Sequence, residues 1–150
     1  MEKMKRLLPA YPLFIKDPYF SIWSAKDVLN ETDTSFWTGK AKKTYGFVKA
    51  NGETYCFLGD ANGVKKLKQT DVEVSTFRTT YRFTCEAFDL EVAFFSPTPI
   101  KDYEIWSCPV CYLEYKLLPK TELKGVEVSL CLHQEWCYYS EDNPAGSSAG

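Results

Sequence analysis

The sequence predicts an all-β fold: an antiparallel β-sandwich of two packed sheets, with little helix, whose completeness is left open. Three observations carry that expectation. Apolar residues recur with period two through most of the chain, the spacing of half-buried strands. Turn-forming residues separate these runs, Asn51-Gly52 foremost. About seven short strands at such spacing suit a sandwich better than a helical or α/β fold. With 45% apolar and 25% charged residues, the chain has enough side chain to offset the entropy of ordering, which excludes disorder.

Each element follows from local chemistry. Asn51-Gly52 supplies the two positive φ angles of a type I′ turn, so residues 42–50 and 53–58 form a hairpin. Counting outward pairs Val48 with Tyr55, Phe47 with Cys56, Gly46 with Phe57 and Tyr45 with Leu58. Both faces then carry apolar groups, so the second must be covered by another sheet, the N-terminal segment or a further domain. Residues 70–77 place Val72 and Val74 inward. Residues 79–86 set Tyr81, Phe83 and Cys85 against Thr80, Arg82, Thr84 and Glu86. After a turn near Phe88-Asp89, residues 90–96 put Leu90, Val92 and Phe94 on one side. Pro97 and Pro99 end that strand, because proline cannot donate to a ladder. Asp102 to Ser107 reads as a short helical turn. Two last strands follow, 110–118 with Cys111, Leu113, Tyr115 and Leu117 on one face, and 126–133 with Val126, Val128, Leu130 and Leu132 inward.

The expected organisation is an irregular, aromatic-rich segment over 1–41 packed on the sandwich, the sandwich over 42–142, and a flexible tail or truncation point over 143–150. The formal net charge is −2, which leaves no basic field for nucleic acid or anionic lipid. No stretch reaches the roughly 20 apolar residues of a membrane helix. Pro9 and Pro12 interrupt the only apolar run near the N-terminus, so no secretory signal is read there and a cytoplasmic location is expected. In that compartment the six cysteines stay reduced, and the Asn30-Glu31-Thr32 sequon has no meaning.

Few residues are equipped for catalysis. No P-loop, dinucleotide glycine pattern or H-E-x-x-H occurs, so neither cofactor nor metal is expected. Cys108-Pro109-Val110-Cys111 matches a C-x-x-C pair, but it enters a strand where a redox pair needs a helix N-terminus. Cys131 and His133 lie two apart on one strand face, roughly 6.5–7 Å from each other, beyond a direct thiol–imidazole bond. They read as the outward face of a sheet. The Lys40/Lys42/Lys43 and Lys65/Lys66/Lys68 clusters read as solvated strand edges. No catalytic residue is assigned. What stands out is 10 Phe, 10 Tyr and 4 Trp beside a single histidine, equipment for packing or binding. Tyr19, Trp23, Phe36, Trp37, Tyr45 and Phe57 form the candidate interdomain or ligand surface.

Several of these segments carry a family resemblance. Leu13 to Trp23 (LFIKDPYFSIW) resembles the opening motif of the glutaminase A family, the large bacterial and fungal type. Phe36-Trp37-Thr38-Gly39 and Gly46 to Leu58 resemble the segments that follow there. Phe94-Phe95-Ser96-Pro97, Pro109 to Leu113 and Glu135-Trp136 match later elements in family order, so the likeness covers roughly residues 7–137. It implies the N-terminal, mostly β domain of a longer protein that hydrolyses glutamine to glutamate and ammonia, with a helical domain after it. That helical domain of the same chain is then the expected partner, and this domain alone is not expected to be catalytic. A carbohydrate-binding module, or the β domain of a glycoside hydrolase, is the rival reading. Under it a glycan or other small molecule would be the ligand.

Overall fold

The computed structural model of the chain describes residues 8–97, 101–108 and 110–137. Within them lie eleven strands, one short α-helix and one 3-10 turn. The central hairpin, β4 (Thr44–Ala50) and β5 (Glu53–Leu58), turns at Asn51 and Gly52 with φ of 54° and 79°, as the type I′ turn requires. Its register holds for Val48↔Tyr55 and Phe47↔Cys56, then slips, and Gly46 faces Leu58. The expected pairs Gly46–Phe57 and Tyr45–Leu58 are therefore corrected by a bulge. Its cause is steric: a Cβ on residue 46 would sit 2.4 Å from Cζ of Phe57. Glycine thus leaves room for the Phe57 ring to lie over the partner backbone.

Two four-stranded sheets face each other. One has the order β10-β9-β8-β7, from β7 (Lys68–Val74), β8 (Arg78–Thr84), β9 (Phe88–Phe95) and β10 (Tyr112–Pro119). The other has the order β11-β4-β5-β6, with β6 (Lys65–Lys66) parallel to β5 and β11 (Glu127–Leu132) antiparallel to β4. Together they form the all-β sandwich that the period-two pattern predicts. Rings from both sheets meet edge to face between the layers, Phe57 with Phe83 at 6.3 Å and Tyr55 with Phe88 at 5.7 Å, a favoured aromatic geometry. The helix α1 (Tyr103–Ser107) occupies the expected helical turn, and Asp102 caps it by accepting from the Ile105 amide.

Residues 11–24 are not irregular. They form a hairpin, β1 (Tyr11–Asp17) and β2 (Phe20–Ser24), joined by β3 (Ser35–Phe36) in a third, small sheet. Two register shifts interrupt β1, so Leu13 and Phe14 are buried consecutively and the alternation that marks a strand is lost. The Asp17 carboxylate accepts from the amides of Tyr19 and Phe20 at 2.7 and 2.9 Å, closing the turn. This sheet lies over one end of the sandwich, where Tyr11 packs on Tyr81 and Phe14 on Phe94.

The following loop covers the back of the hairpin. Asn30 donates to the carbonyls of Cys56 and Leu67 at 2.9 and 2.8 Å. Gln69 bridges the Leu29 amide and the Asp27 carbonyl, and Cys56 and Leu58 are buried. Of the three covers the sequence leaves open for the second apolar face, the N-terminal segment thus supplies one. Two smaller expectations are corrected. Val74 is exposed, because β7 is an edge strand whose register shifts between Gln69 and Asp71. The turn before β9 falls at 85–87, so Phe88 is already a buried strand residue. Pro99 and the 143–150 tail lie outside the described residues.

Candidate functional site

The turn between β1 and β2 presents Tyr19, 84% exposed, and Trp37, just after β3, is 62% exposed. The Trp37 indole N–H donates to the Pro18 carbonyl at 3.1 Å, which fixes it beside that turn. Phe36 lies beneath, its ring 5.6 Å from Trp37. The sequence predicts one surface from six residues, and the fold divides them. Tyr19 and Trp37 stand together on the outside. Phe36 is buried through its pairing with Ile22, so it supports the surface from below. Phe57 is a core residue with no exposure, on the same face of β5 as Tyr55. Tyr45 stacks on Phe47 at 6.4 Å, half-buried on the outer side of β4. Trp23 faces away, into a separate cleft of about 310 Å³ with Lys16, Arg78 and Ser96.

From Tyr19 the apolar surface continues through residues the pattern reading did not single out. Phe20 meets Trp136 at 5.5 Å, and Trp136 meets Phe14 at 5.9 Å. These three rings lie at one end of an apolar groove of about 440 Å³ that also takes in Val110, Cys111 and Leu113 on one side and Leu130 and Leu132 on the other. The inward parity of Leu130 and Leu132 was readable in the sequence. Their exposure was not, because it depends on which strands face them.

Beneath Trp136 lies a polar cluster. The 3-10 turn η1 (Gln134–Cys137) is tied to the start of β4 by the Trp136 indole, which donates to Thr44 Oγ1 at 3.0 Å. Lys42 is buried and its ammonium donates to the Glu135 carbonyl. Burial pulls its pKa below the usual lysine value, against the opposing pull of the Glu135 carboxylate. That carboxylate accepts from the Lys43 amide at 3.2 Å and lies 3.4 Å from His133 Nδ1. Lys42 and Glu135 thus tie η1 to the start of β4, and the cluster acts as a clamp on η1. Cys131 stands opposite Tyr45, on the outer face of β11. Cys111 Sγ lies 3.4 Å from Ser96 Oγ at the groove, and Cys108 is exposed at the end of α1. Among the described residues, no helix is long and apolar enough to cross a membrane.

What the arrangement offers is surface. An exposed aromatic tip lies beside an open apolar groove, and Lys42 and Glu135 beneath Trp136 hold η1 to β4.

Comparison with known proteins adds two matches that between them span most of the chain. Residues 2–70 match the family described as Domain of unknown function (DUF4964), and residues 77–149 match Domain of unknown function (DUF5127). The chain is also similar to glutaminase A of Aspergillus oryzae (strain ATCC 42149 / RIB 40), 25% identical over 114 residues, covering 71% of this chain and 16% of that relative. It thus spans a small part of the relative's length. No solved structure gives a significant match. The resemblance to the glutaminase A family stands on this relative, with the two domain matches consistent with an N-terminal position in such a protein.

Proposed function

We propose that this chain is the N-terminal accessory domain of a longer glutaminase A-like amidohydrolase, a protein that hydrolyses glutamine to glutamate and ammonia. Its role is to pack on a helical catalytic domain of the same protein and to help wall the active-site cleft. The observation that carries this reading is the exposed aromatic tip, where Tyr19 is 84% and Trp37 62% exposed beside the mouth of the groove that Phe20 and Trp136 line. An exposed contiguous patch of this kind marks an interaction site. The likeness to a much longer glutaminase supports the same role. A second reading, a glycan platform, draws on the exposure of Tyr19 and of Trp37, which is held at the neighbouring Pro18 carbonyl, since exposed rings stack on sugar faces.

Ammonia release from glutamine separates the readings. The longer protein is expected to release it and these 150 residues alone are not. Release by the 150 residues, abolished by Cys131→Ala or His133→Ala, would contradict the accessory role. A longer protein inert toward glutamine would remove the glutaminase assignment. Quenching of tryptophan fluorescence by oligosaccharides, lost in Trp37→Ala, would favour the glycan platform.

A further inference from the structure

Among the described residues, the register of the two sheets leaves the sandwich open along one side. Residues directly opposite in a ladder project to the same face. Leu113, Tyr115 and Leu117 of β10 stand opposite Phe94, Val92 and Leu90, which are all buried. Val128, Leu130 and Leu132 of β11 stand opposite Val48, Gly46 and Thr44, buried likewise. All six are interior residues by position. Yet Tyr115, Leu130 and Leu132 are 56%, 40% and 54% exposed. The strands that carry them each end a sheet, and residues of both line the same groove. The two open edges therefore flank one gap.

We propose that this groove is the seat of β-strands from the polypeptide that follows residue 150, which extend β10 and β11 and complete the sandwich. The proposal rests on the reading that the chain begins a longer protein, and it names what fills the groove. A helix has its backbone hydrogen bonds internally satisfied, so it could cover the apolar side chains but not pair with the edge amides and carbonyls. A strand does both. β11, Glu-Val-Ser-Leu-Cys-Leu, carries neither the lysine nor the proline that commonly protects a free edge. In sequence, residues 140–150 hold only polar, acidic and small residues with one proline, and no alternating apolar run. The matched glutaminase, of which this chain covers 16%, has ample further length.

The test compares the 150-residue chain with the protein extended along its own reading frame, by hydrogen exchange and by thiol labelling of Cys111. The proposal expects the amides of β10 and β11 to gain roughly tenfold or more in protection in the extended protein, and Cys111 to stop reacting. Cys56, buried in the core, should stay unreactive in both and so reports that each is folded. Protection of Cys111 with unchanged β10 and β11 amides would overturn the proposal in favour of a helical cover. Protection that rises with concentration of the 150-residue chain alone would assign the groove to a second copy. A reading frame that stops at residue 150 would also overturn it. Glutamine hydrolysis by the extended protein is scored separately, so strand completion and the glutaminase assignment fail independently.

Discussion

Asn30 offers the sharpest test of how the N-terminal segment is built into the core. It is 1% exposed, and its amide donates to the carbonyls of Cys56 and Leu67. Asn30→Ala removes both bonds, each worth about 1 kcal/mol net. The Cys56 carbonyl keeps a donor, the Leu67 amide at 3.0 Å. The Leu67 carbonyl loses its donor, at a further cost of about 1 kcal/mol. The expected loss is therefore roughly 2–3 kcal/mol, which lowers a urea midpoint by about 1–1.5 M for an m-value near 2 kcal/mol/M. Asn30→Asp keeps the size but turns a carboxylate toward two carbonyl oxygens. It should be worse than alanine at pH 7 and recover part of its stability toward pH 4, because burial raises the pKa of an aspartate. Urea unfolding at both pH values checks this. An alanine variant within about 0.5 kcal/mol of the parent, in the range of neutral surface changes, would refute the reasoning. So would an aspartate variant no worse than alanine at pH 7. The same geometry closes the Asn30-Glu31-Thr32 sequon to glycosylation in the folded domain, whatever the compartment.

Other expectations follow from single contacts. Gly46→Ala forces a Cβ into the Phe57 ring and should cost about 1–3 kcal/mol, the usual range for overpacking, read by the same unfolding assay. The Glu53 carboxylate, accepting from the Tyr55 hydroxyl at 2.5 Å, holds that phenol up to about 12. With the folded pKa above the unfolded one, the contribution of this bond is intact below pH 10 and is lost as pH rises through about 12. Burial also raises Tyr11, Tyr45 and Tyr81, so an ultraviolet titration should show several late tyrosines, of which Tyr55→Phe removes one and Glu53→Gln brings that one down. Thiol reagents should reach Cys108, Cys131 and Cys137 first and Cys56 last, since Cys56 is buried and burial pushes its thiol pKa up. Rapid labelling of Cys56 in the native state would contradict its place in the core.

The parts of the fold with regular chemistry were legible. Asn51-Gly52 placed the central hairpin, and clean alternation placed β8 and β9. Bulges hid the rest. Consecutive burial of Leu13 and Phe14 disguised β1, and the slip at Gly46 changed the partners at the end of β5. At the candidate site, the aromatic content of residues 19–37 pointed to Tyr19 and Trp37. It could not separate them from Trp23 and Phe36, because exposure depends on the small third sheet. Trp136 and Phe20 were missed as site residues for a related reason. They meet each other across 116 positions of sequence, and no local period records such a contact.

The central claim is that the aromatic tip is a surface made for another part of a larger protein. The most direct measurement introduces Tyr19→Asp and Trp37→Asp together, in the 150-residue chain and in the longer protein. Both side chains are exposed here, and the losses are the Trp37–Pro18 hydrogen bond and the ring contact with Phe36, so the chain alone should lose about 1–2 kcal/mol and stay folded. The longer protein should lose cohesion between its domains, its single thermal transition splitting in two, and its release of ammonia from glutamine should fall several-fold. A longer protein that keeps one transition and full activity with both substitutions would contradict the account.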